Sequence, residues 1–280
     1  MLKNHLIIAL VSLFMACALD ADLTGVASYH DDVNGRFSMS ETWNATHPAK
    51  NIISETSNYQ ILVAADSHIG GTVNFSTFAK AAKNPENMAA VLVGDVVTGK
   101  SEDYDVLTQQ LSNFGNTPYF MLIGNHDLYF DGWQSFLNDY GTSTFYFTVQ
   151  TPTDSDLYIC LDSGSGTLGY KQLAWLKNNL ESLRSHYRNC TIFSHVNLFR
   201  NRATFSTNLL VTELTELLEL FSKYKVNMVV MGHDHKRAVN EFGNTTFLTL
   251  DALADFANNA SYAKIKVIDG KLSYEFVPLK

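Results

Sequence analysis

Tyr119-Phe120-Met121-Leu122-Ile123-Gly124-Asn125-His126-Asp127 is an apolar run of strand length that breaks at a glycine into side chains able to bind a metal or move a proton. Four other stretches repeat the arrangement. Ile61–Ala65 runs into Asp66-Ser67-His68, Ala89–Val93 into Gly94-Asp95, Thr191–Phe193 into Ser194-His195, and Val226–Met231 into Gly232-His233-Asp234-His235. Short runs that are apolar throughout read as strands covered on both faces. Helical patterns lie between several of them, at Asn74–Ala82, Glu102–Phe114, Tyr170–Leu183 and Asn208–Tyr224, with Ser101 and Thr207 placed as N-caps. The alternation predicts an α/β fold with a largely parallel, covered sheet. In such sheets ligands gather beyond the carboxyl ends of the strands. Three of the turns put glycine ahead of the polar residue, where the chain has to leave the strand sharply.

Outside these blocks the patterns are simpler. Tyr262–Ile268 and Lys271–Val277 flank Asp269-Gly270 and predict an antiparallel hairpin, and Phe145–Val149 followed by Leu157–Leu161 predicts another with a longer loop. Ala21–Tyr59 is polar and lacks clear periodicity. Its one turn signal, Asn34-Gly35 between Val26–Tyr29 and Arg36–Met39, suggests a hairpin. Residues 19–59 are therefore expected to form an N-terminal extension and residues 60–280 one catalytic domain. Asp162, in Leu161-Asp162-Ser163-Gly164, reads as a turn former ahead of a glycine-rich loop. His30, His47 and His186 sit in polar surroundings and read as surface residues, and the Trp and Phe content reads as core.

Composition narrows the function. The 280-residue chain is 46% hydrophobic and 17% charged, which excludes disordered, collagenous and polytopic membrane classes. With 20 Lys and Arg against 28 Asp and Glu, the net charge is −8, a poor match to a nucleic-acid backbone. Residues 1–18 carry Lys3 and then an apolar run from Leu6 to Ala18, too short to span a bilayer. Ala16-Cys17-Ala18 fits a signal-peptide cleavage site, and Ala16-Cys17 also fits a lipobox in which Cys17 would be lipidated. Both readings export the protein, to a periplasmic, extracellular or membrane-anchored location, and lipid on Cys17 is the only expected membrane contact. Cys160 and Cys190 read as buried thiols, with one disulfide as the alternative. Sequons at Asn44, Asn74, Asn189, Asn244 and Asn259 matter only in a source that glycosylates.

The polar residues at the strand ends define a metal chemistry. His, Asp and Asn without Cys suit Mn, Fe, Zn or Co, and are too rich in nitrogen for Ca or Mg. Asp66, His68, Asp95, Asn125, His195, His233 and His235 exceed the needs of one tetrahedral ion, so two ions sharing a carboxylate are expected. No Ser or Cys nucleophile signature competes.

The ordered blocks Asp66-x-His68, Gly94-Asp95, Gly124-Asn125-His126-Asp127, His195 and Gly232-His233-Asp234-His235 resemble the calcineurin-like metallophosphoesterase superfamily, from about Ile61 to the end of the chain. Tyr170–Leu176 looks like the family's helix beneath the site. The resemblance implies a four-layer α/β/β/α sandwich of two mixed sheets flanked by helices. It implies that Asp66, His68, Asp95 and His235 hold one divalent transition-metal ion, and that Asp95, Asn125, His195 and His233 hold the other. His126 would sit beside the leaving-group oxygen, with Asp127 orienting its ring. The implied activity is hydrolysis of phosphate mono- or diesters by a hydroxide bridging the ions, acting on a small-molecule or lipid-headgroup ester. The D-x-H block differs from the D-x-G of purple acid phosphatases, and Gly94–Thr98 holds no tyrosine, so a tyrosinate–iron site is not expected. Arg200 and Arg202 lie just beyond His195 as candidate phosphate contacts, with solvated surface charge as the competing reading. The alternative from another class is a non-catalytic surface or binding protein that keeps the fold.

Overall fold

Strand β2, Tyr59–Ala64, is buried along its whole length, and its alternate residues enter different cores. Ile61 and Val63 pack into one hydrophobic cluster, whereas Leu62 and Ala64 pack into another. A strand with two apolar faces must be covered twice, and the computed structural model, which describes residues 32–199 and 209–279, shows by what.

Strands β3 (Asn87–Val93) and β4 (Tyr119–Leu122) extend β2 in parallel. On its other side β11 (Ser261–Ile268) pairs antiparallel and carries β12 (Lys271–Pro278), giving a five-stranded sheet ordered β12-β11-β2-β3-β4. A seven-stranded sheet faces it. Its members are β1 (Lys50–Ile53), β5 (Phe145–Gln150), β6 (Ser155–Leu161), β7 (Cys190–Ser194), β8 (Met228–Met231), β9 (Ala238–Phe242) and β10 (Thr245–Thr249), in the order β1-β5-β6-β7-β8-β10-β9. Val63, Val91, Val93, Phe147, Tyr158, Phe193, Val230 and Ile265 form the core between the sheets. Helices α2 (Val73–Ala82), α3 (Ser101–Leu111) and α4 (Gly132–Tyr140) cover the outer face of the smaller sheet through Phe75, Phe78, Leu107, Trp133 and Phe136. Helices α5 (Gly169–Leu183) and α6 (Leu209–Lys223) cover the larger one through Leu176, Leu180, Leu217 and Phe221. The four-layer α/β/β/α sandwich is therefore present. Among the described residues no helix is long and apolar enough to cross a membrane.

The structure corrects the sequence reading near the N-terminus. Asn34-Gly35 is not a hairpin turn but the first turn of helix α1, Val33–Asn44. Asp32 caps it, its carboxylate accepting a 2.8 Å hydrogen bond from Gly35 N. Helix α1 packs on α5, and β1 pairs in parallel with β5. Residues 33–53 thus pack against the helices and the larger sheet of the described structure. Ser101 is the first residue of α3, not its cap. Lys100 holds the cap position without a side-chain bond. Thr207, His30 and the first 18 residues, with Cys17, lie outside the described residues.

Cys160 and Cys190 are buried free thiols. They sit on adjacent strands but face opposite ways, Cys160 into the inter-sheet core and Cys190 toward α5 and α6, so no disulfide joins them. Of the sequons, Asn74 and Asn189 are buried, and Asn189 Nδ2 is engaged at 2.9 Å by Asp156 Oδ1. Asn244 and Asn259 are exposed.

Candidate metal centre

The ends of β2, β3 and β4 from one sheet meet the ends of β7 and β8 from the other along one rim. Asp66, His68, Asp95, His233 and His235 all adopt left-handed backbone conformations there, with φ of 54°, 40°, 48°, 74° and 55°. Each such residue costs on the order of 1–3 kcal/mol, a strain that persists only where the surroundings enforce it. The enforcement is visible in the backbone: Asp66 N donates to Gly94 O at 3.0 Å, His68 N to Asp95 O at 3.0 Å, and Gly232 N to His195 O at 2.9 Å.

The glycines act in two ways. Gly94 has a φ of +76°, the sharp exit the sequence suggests. Gly124 and Gly232 have no positive φ, and they are needed for close approach instead. A Cβ on Gly124 would lie 2.2 Å from Asp95 Oδ1, and one on Gly232 would lie 2.6 Å from Asp66 Oδ2. Each glycine makes room for a donor from the neighbouring block.

Donor atoms gather in overlapping groups: Asp66 with His68 and His235, Asp95 with His195 and His233, and His68 with Asp95 and His126, each group within 4.8 Å. Asp95 Oδ2 joins the first two, lying 3.2 Å from His195 Nε2 and 4.0 Å from His68 Nε2. Asp66 Oδ1 lies 3.4 Å from His235 Nε2. Two pairs of imidazole nitrogens face each other, His68 Nε2 and His235 Nε2 at 3.1 Å, and His233 Nδ1 and His195 Nε2 at 3.3 Å. Such pairs share at most one proton when neutral, so each leaves at least one nitrogen lone pair that a cation could take. His195 Nδ1 lies 2.9 Å from Val93 O, so it carries the proton of the neutral ring and leaves Nε2 as the ligating atom. The side-chain oxygen of Asn125, Oδ1, is buried without a hydrogen-bond partner, while its Nδ2 lies 3.5 Å from the Tyr129 hydroxyl. A buried, unsatisfied carbonyl oxygen among His and Asp donors fits a divalent transition metal.

Electrostatics divide the histidines. Burial lowers His68 to about 4 despite the nearby Asp95 and Asp66 carboxylates, keeping its ring neutral and ready to ligate. Burial also opposes charge on His195, but Asp95 outweighs it and holds the ring at about 10. Asp95 is correspondingly lowered: burial opposes its charge, and His195 overrides burial. A hydrogen-bonding contact with Asp66 raises His235.

The remaining site residues fall into place differently from expectation. The Asp127 carboxylate does not touch the His126 ring. It is fully buried and ties two loops together, accepting from Val97 N at 2.9 Å and Gly124 N at 2.8 Å. Burial and then the Asp95 charge push it up to about 7 against those two hydrogen bonds. His126 is instead placed by its backbone, whose N–H donates to Asp95 Oδ1 at 2.8 Å, and by Thr98 O, 3.4 Å from Nδ1. Arg200 and Arg202 lie outside the described residues. Sequence reasoning missed Phe256, whose ring centroid is 5.9 Å from that of His68.

A model of the calcineurin-like phosphoesterase family matches residues 59–237. The chain belongs to that family. No curated protein matches it in sequence. Several solved structures share the fold. GAP50, described as the anchor in the inner membrane complex of Plasmodium, aligns with a TM-score of 0.64 at 13% identity, covering 80% of this chain and 85% of that one. A dimetal phosphatase from Danio rerio aligns at 0.56 and 13% identity, covering 79% of this chain and 98% of that one. The purple acid phosphatase PPD1 of yellow lupin aligns at 0.57 and 14% identity, covering 80% of this chain but 52% of the lupin chain. The calcineurin-like phosphoesterase family acts on phosphate esters and is dimetal-dependent, and the Asp, His and Asn groups described above are this chain's candidates for holding the metals.

Proposed function

We propose that this calcineurin-like phosphoesterase is an exported, dinuclear-metal hydrolase of phosphate mono- or diesters. One observation carries the reading: donors from the ends of five strands in two sheets converge while Asn125 Oδ1 stays buried and unsatisfied. Two divalent cations held there would supply a nucleophile from water at neutral pH and offset the charge that builds on the phosphoryl oxygens. Asp66, His68 and His235 would hold one, and Asn125, His195 and His233 the other, with Asp95 shared. The chain's own groups do the positioning. Asp66 is braced by His233 N, which donates to its carboxylate at 2.9 Å. His195 is fixed through Val93 O. With Nδ1 facing Thr98 O, His126 keeps Nε2 for the departing ester oxygen, to which the ring would donate or deliver a proton only when both nitrogens are protonated.

Export rests on the sequence of residues 1–18, and the substrate side on charge: a net −8 disfavours nucleic acid and leaves small-molecule or lipid-headgroup esters. Mass spectrometry of the mature N-terminus separates cleavage, which starts the chain at an unmodified Leu19, from lipid on Cys17. A start at Met1 contradicts export.

A second reading, a binding protein without turnover, is favoured by the fold shared with a protein described as an anchor. Purified protein loaded with Mn²⁺ and assayed on p-nitrophenyl phosphate and bis(p-nitrophenyl) phosphate decides between them. Turnover of either ester supports the hydrolase, and bound metal with no turnover supports the binding protein.

A further inference from the structure

Beside the donor cluster stands an apolar ring for which the metal centre has no use. Phe256 is 60% exposed, and its centroid lies 5.9 Å from that of His68 and 6.4 Å from that of His235. It begins a row of rings across the site: His68 to His126 is 4.6 Å and His126 to Tyr129 is 4.7 Å.

A single exposed phenylalanine is ordinary, but the loop that carries this one is held from several directions. Leu253 N donates to Ala65 O at 2.9 Å and Ala254 N to Asp66 O at 3.1 Å, so the loop hangs from the strand end that supplies Asp66. Asn74 Nδ2 donates to Ala254 O at 3.0 Å. The Asp255 carboxylate accepts from Val73 N at 3.0 Å and Asn74 N at 2.7 Å, at the amino end of α2. Gly71 makes that contact possible, since a Cβ there would lie 2.4 Å from Asp255 Oδ2. The residue before Phe256 is thus locked to a helix, and the main chain just ahead of it is locked to the metal-site strand. An apolar side chain carried beside a metal centre on a pinned loop, with more than half its surface in water, is a preplaced contact for an apolar part of a ligand.

We propose that Phe256 is a specificity-determining residue that seats the organic group of the ester, selecting planar aryl esters over small polar alkyl ones. The inference rests on the hydrolase reading and names its substrate class. The phosphoryl group would occupy the donor cluster, and the aryl ring would lie against Phe256 in an offset or edge-to-face arrangement.

The test uses the full chain loaded with Mn²⁺, as wild type, Phe256→Ala and Phe256→Trp. Kinetics on phenyl phosphate and glycerol phosphate give a selectivity ratio in kcat/KM, in which the intrinsic reactivities of the two esters cancel between variants. Calorimetry with phenylphosphonate and methylphosphonate gives the same comparison without turnover, and metal content checks the site. In Phe256→Ala the phenyl preference should fall about tenfold in both ratios, the size of one aromatic contact with its buried area. Phe256→Trp should restore it, with metal content equal in all three proteins. An unchanged ratio, or an equal loss for both ligands, overturns the assignment to Phe256 while leaving the hydrolase reading intact. No turnover of either ester by the metal-loaded wild type removes the hydrolase reading and this inference with it.

Discussion

Arg36 on α1 and Asp162 after β6 meet as a buried two-pronged pair, Nε 2.7 Å from Oδ2 and Nη2 3.0 Å from Oδ1. The pair supports the metal site at one remove. Asp162 Oδ1 also accepts from Gly164 N at 3.1 Å, and Gly164 packs so tightly on the site loop that a Cβ there would lie 2.8 Å from Gly124 O. Gln172 on α5 clamps the same loop, its Oε1 accepting from Asp162 N at 2.8 Å and its Nε2 donating to Asp162 O at 2.7 Å.

Removing one partner of this pair strands a buried charge. Arg36→Met should destabilise the protein by about 3–5 kcal/mol in urea unfolding, and Asp162→Leu added to it should recover a large part of that loss. If Arg36→Met alone costs under about 1 kcal/mol, the ion pair is not what holds α1 to the domain.

Gly124→Ala should cost metal retention as well as stability. Its Cβ would lie 2.2 Å from Asp95 Oδ1 and 2.3 Å from Asp95 N, so the shared carboxylate has to move. Gly70→Ala is the control, because its Cβ would meet nothing nearer than 3.9 Å and should change stability by no more than about 0.5 kcal/mol. Elemental analysis of both variants after identical loading tests this, and equal metal content in the two contradicts the close-approach account.

Asp95→Asn and His126→Ala separate holding metal from handling substrate. Asp95 Oδ2 faces donors of two groups, so Asp95→Asn should lose metal and turnover together. His126→Ala should keep its metal and lose about 10²–10⁴ in rate, most on esters with poor leaving groups. Metal loss in His126→Ala would instead make His126 a ligand, a role that its grouping with His68 and Asp95 leaves room for.

The strand ends were legible in the sequence because each pairs an apolar run with a polar break, a local signal. Where local signals ran out, distant partners carried the information. Helix α1 buries Val33, Arg36, Phe37 and Ser40, a regular helical stripe disguised by an arginine and a serine. Arg36 is tolerated there because distant groups satisfy it, chief among them Asp162, 126 positions away. The hairpin of β9 and β10 was within reach: Gly243-Asn244 separates the paired residues Phe242 and Thr245, and Gly243 has a φ of +61°. The division into two sheets was not readable from strand–helix alternation, since β2–β4 and β6–β8 are locally alike, and it rested on the family resemblance. The bonds of Asp127 run to backbone N–H groups, which no side-chain pattern announces.

The last prediction concerns metal removal and pH. In the metal-free protein His195 is held at about 10 by Asp95, against an ordinary value of 6.5, so its ring is protonated at neutral pH. A ligating imidazole must be neutral, so metal uptake near pH 8 should release a proton and affinity should rise with pH up to about 10. The sign for stability is opposite. A raised folded-state value stabilises fully below 6.5, and the contribution fades as pH rises through about 10. Chelated protein should therefore lose thermal stability between pH 6.5 and 10, whereas metal-loaded protein, with His195 neutral throughout, should lose less over the same interval. Melting curves at several pH values, with and without chelator, give the comparison, and His195→Gln should flatten the chelated profile. Parallel profiles for the loaded and chelated wild type would show that the pair of Asp95 and His195 is not charged in the absence of metal.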